Sequence, residues 1–133
     1  MSEETDEGAI ATVRYFINAV NLAYQTNDET LFANLQTNDC ASCKKLIAQI
    51  RDVQDSGGAY EHYELSLGVV RKTGYLENDE QTFGVSVDVT EEPYNVKGSD
   101  GELRTAIADE ATTRTIFLLT FEQGKWLIKD FVA

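Results

Sequence analysis

A chain of 133 residues is one domain's worth, long enough to bury about two-thirds of the surface its unfolded form exposes. Its apolar content of 42% is that of a globular protein, while a net charge of -12 without any Lys/Arg stripe argues against nucleic acid and against anionic membrane surfaces as partners. No apolar run approaches the length of a membrane span or of a signal-peptide core.

Residues 1–8, with Ser2-Glu3-Glu4-Thr5-Asp6-Glu7, lack apolar periodicity and read as a flexible acidic tail ahead of a single domain over 9–133. The first helix is expected from Ala9 to Gln25, with Ile10, Val13, Ile17, Val20 and Tyr24 on one stripe flanked by Phe16 and Ala23. Tyr15, Ala19 and Leu22 form a weaker apolar patch opposite, which predicts a helix covered on two sides. Thr26-Asn27-Asp28 caps a short helix from Glu29 to Leu35. Thr37-Asn38-Asp39 repeats that punctuation before a third helix, Cys40 to Asp55, which buries Cys43, Leu46, Ile47, Ile50 and Val53 and stops at Gly57-Gly58.

Beyond Gly58 the period changes from 3.6 to 2. Alternation predicts strands over Tyr63–Val69 and Phe83–Val89, short strands around Tyr94–Val96 and Leu103–Ile107 joined through Gly98-Ser99-Asp100-Gly101, and a last hairpin of Thr113–Phe121 with Trp126–Val132. The expected class is α+β, with the helices packed on one face of a curved antiparallel sheet.

Helices first and a sheet afterwards, closing on Trp126-Leu127-Ile128-Lys129-Asp130-Phe131, resemble the nuclear-transport-factor-two-like (cystatin-like) fold. A run through Tyr15-Phe16, Ala19, Asn21, Ala23-Tyr24, Thr26, Asp28, Leu31, Leu35, Cys40, Cys43, Ile50 and Gly57-Gly58 resembles an actinobacterial family of uncharacterised small lipoproteins. The chain departs from that family at Asn27, where glycine is usual, at Ala59-Tyr60, and in lacking a lipobox. The resemblance implies a location in the cell envelope, a lipid anchor carried by a longer precursor, and residues 1–8 as the remnant of a tether. It implies no reaction.

Cys40 and Cys43 are the two cysteines. At i and i+3 in a first helical turn their Cα atoms come about 5 Å apart, within reach of a disulfide. A zinc site would need four ligands, and one histidine completes no such set, so neither metal nor cofactor is expected. A redox role has some support from the helix N-terminus and from Lys44 and Lys45, while Asp39 opposes it. A structural disulfide outweighs it, because the pair does not follow a βαβ strand.

His62 shares the water-facing side of its expected strand with Tyr60, Glu64 and Ser66 and reads as a surface residue rather than a base. The positions expected to face the hollow between helices and sheet are Tyr63, Leu65, Leu67, Val69, Phe83, Val85, Val87, Val89, Leu127 and Phe131, none ionisable. An isomerase or hydratase would need a carboxylate or histidine there. Arg14, Asn21, Tyr24, Tyr63, Phe83 and Trp126 are the candidate pocket-lining residues, although a backbone-bonding role for Asn21 and a core role for Tyr24 outweigh a place in the pocket. Thr115-Ile116-Phe117-Leu118-Leu119 is apolar on both faces, as in a central strand or one meeting a partner in a monomer or weak homodimer.

The functional expectation is an exported, non-catalytic domain that binds a small ligand or envelope partner in the hollow. A thiol–disulfide protein using Cys40 as its more exposed sulfur is the first alternative, and an isomerase- or hydratase-like pocket enzyme the second.

Overall fold

The computed structural model describes residues 3–133, apart from the side chain of Glu29. Helix α1 spans Asp6–Thr26 and begins where the Thr5 hydroxyl accepts from the Gly8 N–H at 3.0 Å. Asp6 and Glu7 sit in its first turn, where carboxylates favour the helix dipole, so the helix starts three residues before the apolar stripe does. The tail reading fails over residues 3–8 for that reason: the Glu3 carbonyl accepts from Trp126 Nε1 at 2.9 Å, Glu4 accepts from the Tyr75 hydroxyl, and Asp6 pairs with Lys72. Met1 and Ser2 lie outside the described residues.

Helix α1 ends at Asn27, whose left-handed φ of 57° explains why glycine suits that position and why asparagine is tolerated. The segment Glu29–Leu35 is a 3-10 helix capped by Asp28. Helix α2 spans Ala41–Asp55, with Cys40 as its N-cap rather than its first residue. It stops at Gly57, with φ +74°, and Gly58 follows so close to the Lys97 carbonyl that a side chain would collide with it.

The strands are β1 (Ala59–Glu61), β2 (Leu65–Leu76), β3 (Asp79–Glu91), β4 (Tyr94–Lys97), β5 (Leu103–Ile107), β6 (Ala111–Glu122) and β7 (Lys125–Val132). All pairings are antiparallel and form two sheets, ordered β2-β3-β6-β7 and β1-β4-β5. One long hairpin links them. Its first arm breaks at Pro93, the chain's single proline and unable to donate to a ladder, between β3 and β4. Its second arm breaks opposite, between β5 and β6.

Helix α1 packs on the four-stranded sheet through β2, β3 and β7, and α2 lies against β7 and β1. Phe16, Val20, Val85, Val87, Phe117, Leu119 and Ile128 are buried between these layers. The outer patch of α1 stays uncovered in this chain: Tyr15 is 54% and Leu22 52% exposed, and only Ala19 is buried.

Two bulges change which side chains face inward. Leu67 pairs Val89 but Val70 pairs Val87, so Gly68 and Val69 together oppose one residue of β3. Val69 therefore points out, and Val70 takes the inward place expected for it. On β7, Asp130 pairs Leu118 while Ile128 pairs Leu119, leaving Lys129 as the extra residue. Counting back from Phe131 by twos puts Leu127 inside; the bulge reverses the phase and buries Trp126 and Ile128 instead.

Candidate functional site

A hollow of about 410 Å³ opens between α1, α2 and the four-stranded sheet. Its floor is aromatic: Phe16 of α1, Phe117 of β6 and Phe131 of β7 lie with ring centroids 5.4 to 6.2 Å apart. Ile17, Val20, Leu46, Leu65 and Val89 complete the apolar wall. The exposed residues Lys45, Ala111, Thr113 and Ala133 mark the side where it meets solvent.

Polar groups enter from both layers. The helix side contributes Ser42 and Lys45, and the sheet contributes Glu91, Thr113 and Thr115. Ser42 is committed to structure, since its hydroxyl donates to the Phe131 carbonyl at 2.8 Å and its N–H to Asp130 Oδ1 at 3.2 Å. Burial works to raise the Asp130 carboxyl, but those hydrogen bonds, one from the Phe131 N–H, and the charge of Lys45 outweigh it and hold the group below the usual carboxylate range.

Glu91 is the ionisable group in the hollow that alternation up to Val89 left out. It is one step further along the same period, after Phe83, Val85, Val87 and Val89, and pairs with Ala111 of β6. The strand runs two residues beyond its expected end, and those two residues bring the carboxylate inside. Tyr63 donates to Glu91 Oε2 at 3.0 Å. Behind that bond, Tyr63 stacks on Tyr24 at 4.0 Å, and Tyr60 and Tyr94 pack edge-on to form an aromatic cluster. Burial, then neighbouring tyrosines and the Glu91 charge, push the Tyr24 and Tyr63 phenols far above their ordinary range.

None of the six candidate lining residues is among those that line the hollow. Arg14 faces solvent from α1. Asn21 bonds the Leu65 backbone in both directions. Tyr24 is core, with its hydroxyl donating to Gln49 Oε1 at 2.6 Å, and Tyr63 touches the site only through Glu91. Phe83 and Trp126 pack together with Tyr75 and Phe121 near the start of α1, away from the opening. The aromatic candidates Tyr24, Tyr63, Phe83 and Trp126 are taken up in packing, while Phe16, Phe117 and Phe131 line the space together with small and charged residues of the strand ends.

Cys40 and Cys43 form a disulfide with their Cα atoms 5.3 Å apart. Cys40 Sγ also accepts from the Cys43 N–H at 3.2 Å, so the bridge caps α2. Both residues are fully buried, and Cys40 is no more exposed than its partner, contrary to what a redox role for it required. His62, with φ +61°, lies exposed in the link between β1 and β2, not within a strand. Among the described residues no cluster of His, Cys, Asp and Glu could hold a metal ion, and no helix is long and apolar enough to cross a membrane.

The chain belongs to a family of unknown function, DUF6318, whose model matches residues 1–131. No curated protein matches it. Among solved structures it is similar to the intermembrane space region of the chloroplast protein ARC6, with a TM-score of 0.69 and 12% identity over 98% of this chain and 96% of that one. An uncharacterised protein with a cystatin-like fold from Caulobacter vibrioides superposes with a TM-score of 0.56 and 14% identity over 92% and 86% of the two chains. Aln2 from a Streptomyces species gives 0.56 and 12% over 96% and 90%. Such identities establish the nuclear-transport-factor-two-like, cystatin-like fold and nothing about activity.

Proposed function

We propose that this member of a family of unknown function is a non-catalytic binding domain that takes a small ligand in the hollow between helices and sheet. The observation that carries the reading is the hollow itself: about 410 Å³, walled by apolar side chains, with a few polar groups converging on it. An exported, lipid-anchored placement in the cell envelope, as a monomer or weak homodimer, is part of the same proposal. A buried disulfide suits an oxidising compartment. That burial also removes support from a thiol–disulfide role, which needs a sulfur within reach of an attacking thiolate.

The test is titration with phenylnaphthylamine, an uncharged apolar fluorophore. Wild-type protein is expected to give a saturable, one-to-one rise in emission. Thr113→Trp, which places an indole in the hollow from an exposed wall position, is expected to abolish it with the circular dichroism unchanged. No rise in the wild type, or an equal rise in the variant, would overturn the reading.

One observation favours a second reading. Glu91 supplies the ionisable group that an isomerase- or hydratase-like pocket requires, with the Tyr63 hydroxyl on one of its oxygens. A carbon acid bound in the hollow that exchanges its proton for deuterium with wild-type protein, and not with Glu91→Gln, would replace the binding reading with this one.

A further inference from the structure

We propose that the ligand is an organic cation: a protonated amine or amidinium on an apolar body, with its charged nitrogen at Glu91. This rests on the binding reading above and specifies the chemistry of its ligand.

Three observations converge on it. First, Glu91 stands half-buried at the end of β3, and none of the ion pairs between described residues includes it; those are Lys72–Asp6, Lys97–Glu61, Arg114–Asp88 and Lys129–Asp79. Its described hydrogen bond, from Tyr63, occupies Oε2. A carboxylate can accept more than one donor, and withdrawing it from water is offset best by a charged donor.

Second, a hydroxyl stands diagonally across the ladder from Glu91. Thr113 of β6 pairs with Val89, two residues before Glu91 on the same face, and lines the same wall. An ammonium or amidinium carries several N–H donors, so it can satisfy this carboxylate and this hydroxyl together, which a ligand with one donor cannot do.

Third, Lys45 does not set the opposite preference. It is exposed at the rim on a flexible stem, and its charge already acts on Asp130. The net charge of -12 further concentrates small cations near the surface and repels anions. The aromatic floor of Phe16, Phe117 and Phe131 would receive the apolar body.

The experiment compares three probes with the same eight-carbon tail by isothermal titration calorimetry at neutral pH and physiological ionic strength: octylammonium, octanol and octanoate. Octylammonium is expected to bind about tenfold more tightly than octanol, and octanoate most weakly. Glu91→Gln keeps an acceptor for Tyr63 and is expected to bring octylammonium down to the level of octanol while leaving octanol unchanged. Lys45→Ala is expected to preserve the order of the three.

If octanol and octylammonium bind equally, if octanoate binds best, or if Glu91→Gln leaves the ammonium preference intact, the cation proposal is overturned while the binding reading stands. If none of the three binds and phenylnaphthylamine also fails, both fall together.

Discussion

Asn21 and Leu65 hold α1 and β2 together through a two-way hydrogen bond. The Asn21 amide donates to the Leu65 carbonyl at 3.0 Å, and its Oδ1 accepts from the Leu65 N–H at 2.7 Å. This pair imitates one rung of a sheet ladder on the outer edge of β2, opposite the edge that pairs with β3. Leu65 lines the hollow, so the clamp also sets one of its walls.

Asn21→Ala is therefore expected to cost about 2 kcal/mol, since two backbone groups in a partly buried setting lose their partners at once. Urea denaturation followed by circular dichroism measures this. Gln25 supports the same segment by donating to the Tyr63 carbonyl at 3.1 Å from an exposed position, and Gln25→Ala should cost less than half as much. Equal losses for the two variants would mean that the Asn21 clamp has no special role.

The disulfide closes a short loop, so its contribution is modest. Replacing Cys40 by Ser and Cys43 by Ala removes the bridge while keeping an oxygen able to cap α2, and is expected to lower stability by about 2 kcal/mol in the chain-entropy treatment. Because both sulfurs are fully buried, reductant should act on native protein only through local opening. Free-thiol counting over time is expected to show reduction at least tenfold slower in buffer than in denaturing urea. Equal rates would show that the bridge is reached from the surface, and would restore the redox alternative.

At high pH the aromatic cluster becomes a weakness. Tyr24 and Tyr63 are raised in the folded state, by burial first and then by neighbouring tyrosines and Glu91, while in the unfolded chain they ionise near the ordinary value of about 10. Above that pH the folded state retains protons that the unfolded state has lost. The stabilisation contributed by the neutral phenols is complete below about pH 10 and falls as pH rises beyond it. Tyrosinate absorbance is expected to show these two phenols ionising only as the fold is lost, with Tyr63→Phe shifting alkaline unfolding to higher pH. Reversible titration of every tyrosine near pH 10 with the circular dichroism intact would contradict this.

Much of the architecture was legible because it rests on local rules. The stripe from Val13 to Tyr24, the Asp28 cap, the Gly57 stop and the change of period after Gly58 each arise within a few residues, and each predicted an element that is present. The 3-10 character of Glu29–Leu35 was not legible, since a short capped segment looks the same in both helical forms. Strand β1 was missed because three residues, Ala59–Glu61, are too few to show alternation; its pairing with β4 defines it.

The site was less legible than the fold. Two of the corrections, at Val69 and Leu127, share one cause. Alternation states which residues share a face, but a bulge at Gly68-Val69 or Lys129 resets the phase, and bulges are settled by how a strand meets its neighbour. Glu91 keeps the phase of Val89, and what alternation missed there is the length of β3, whose pairing with β6 continues to Ala111.

By itself the sequence determined the class of fold, the order of its elements and the disulfide spacing, because caps, glycine stops and hydrophobic periods act over distances shorter than one turn or one strand. Only the tertiary structure decided that Glu91 and Thr115 share a wall with Phe16 and Phe131, and that Trp126, Phe83 and Tyr24 do not. Those neighbours come from separate elements, and which of them face the same space depends on the register between strands and the packing of helices upon them.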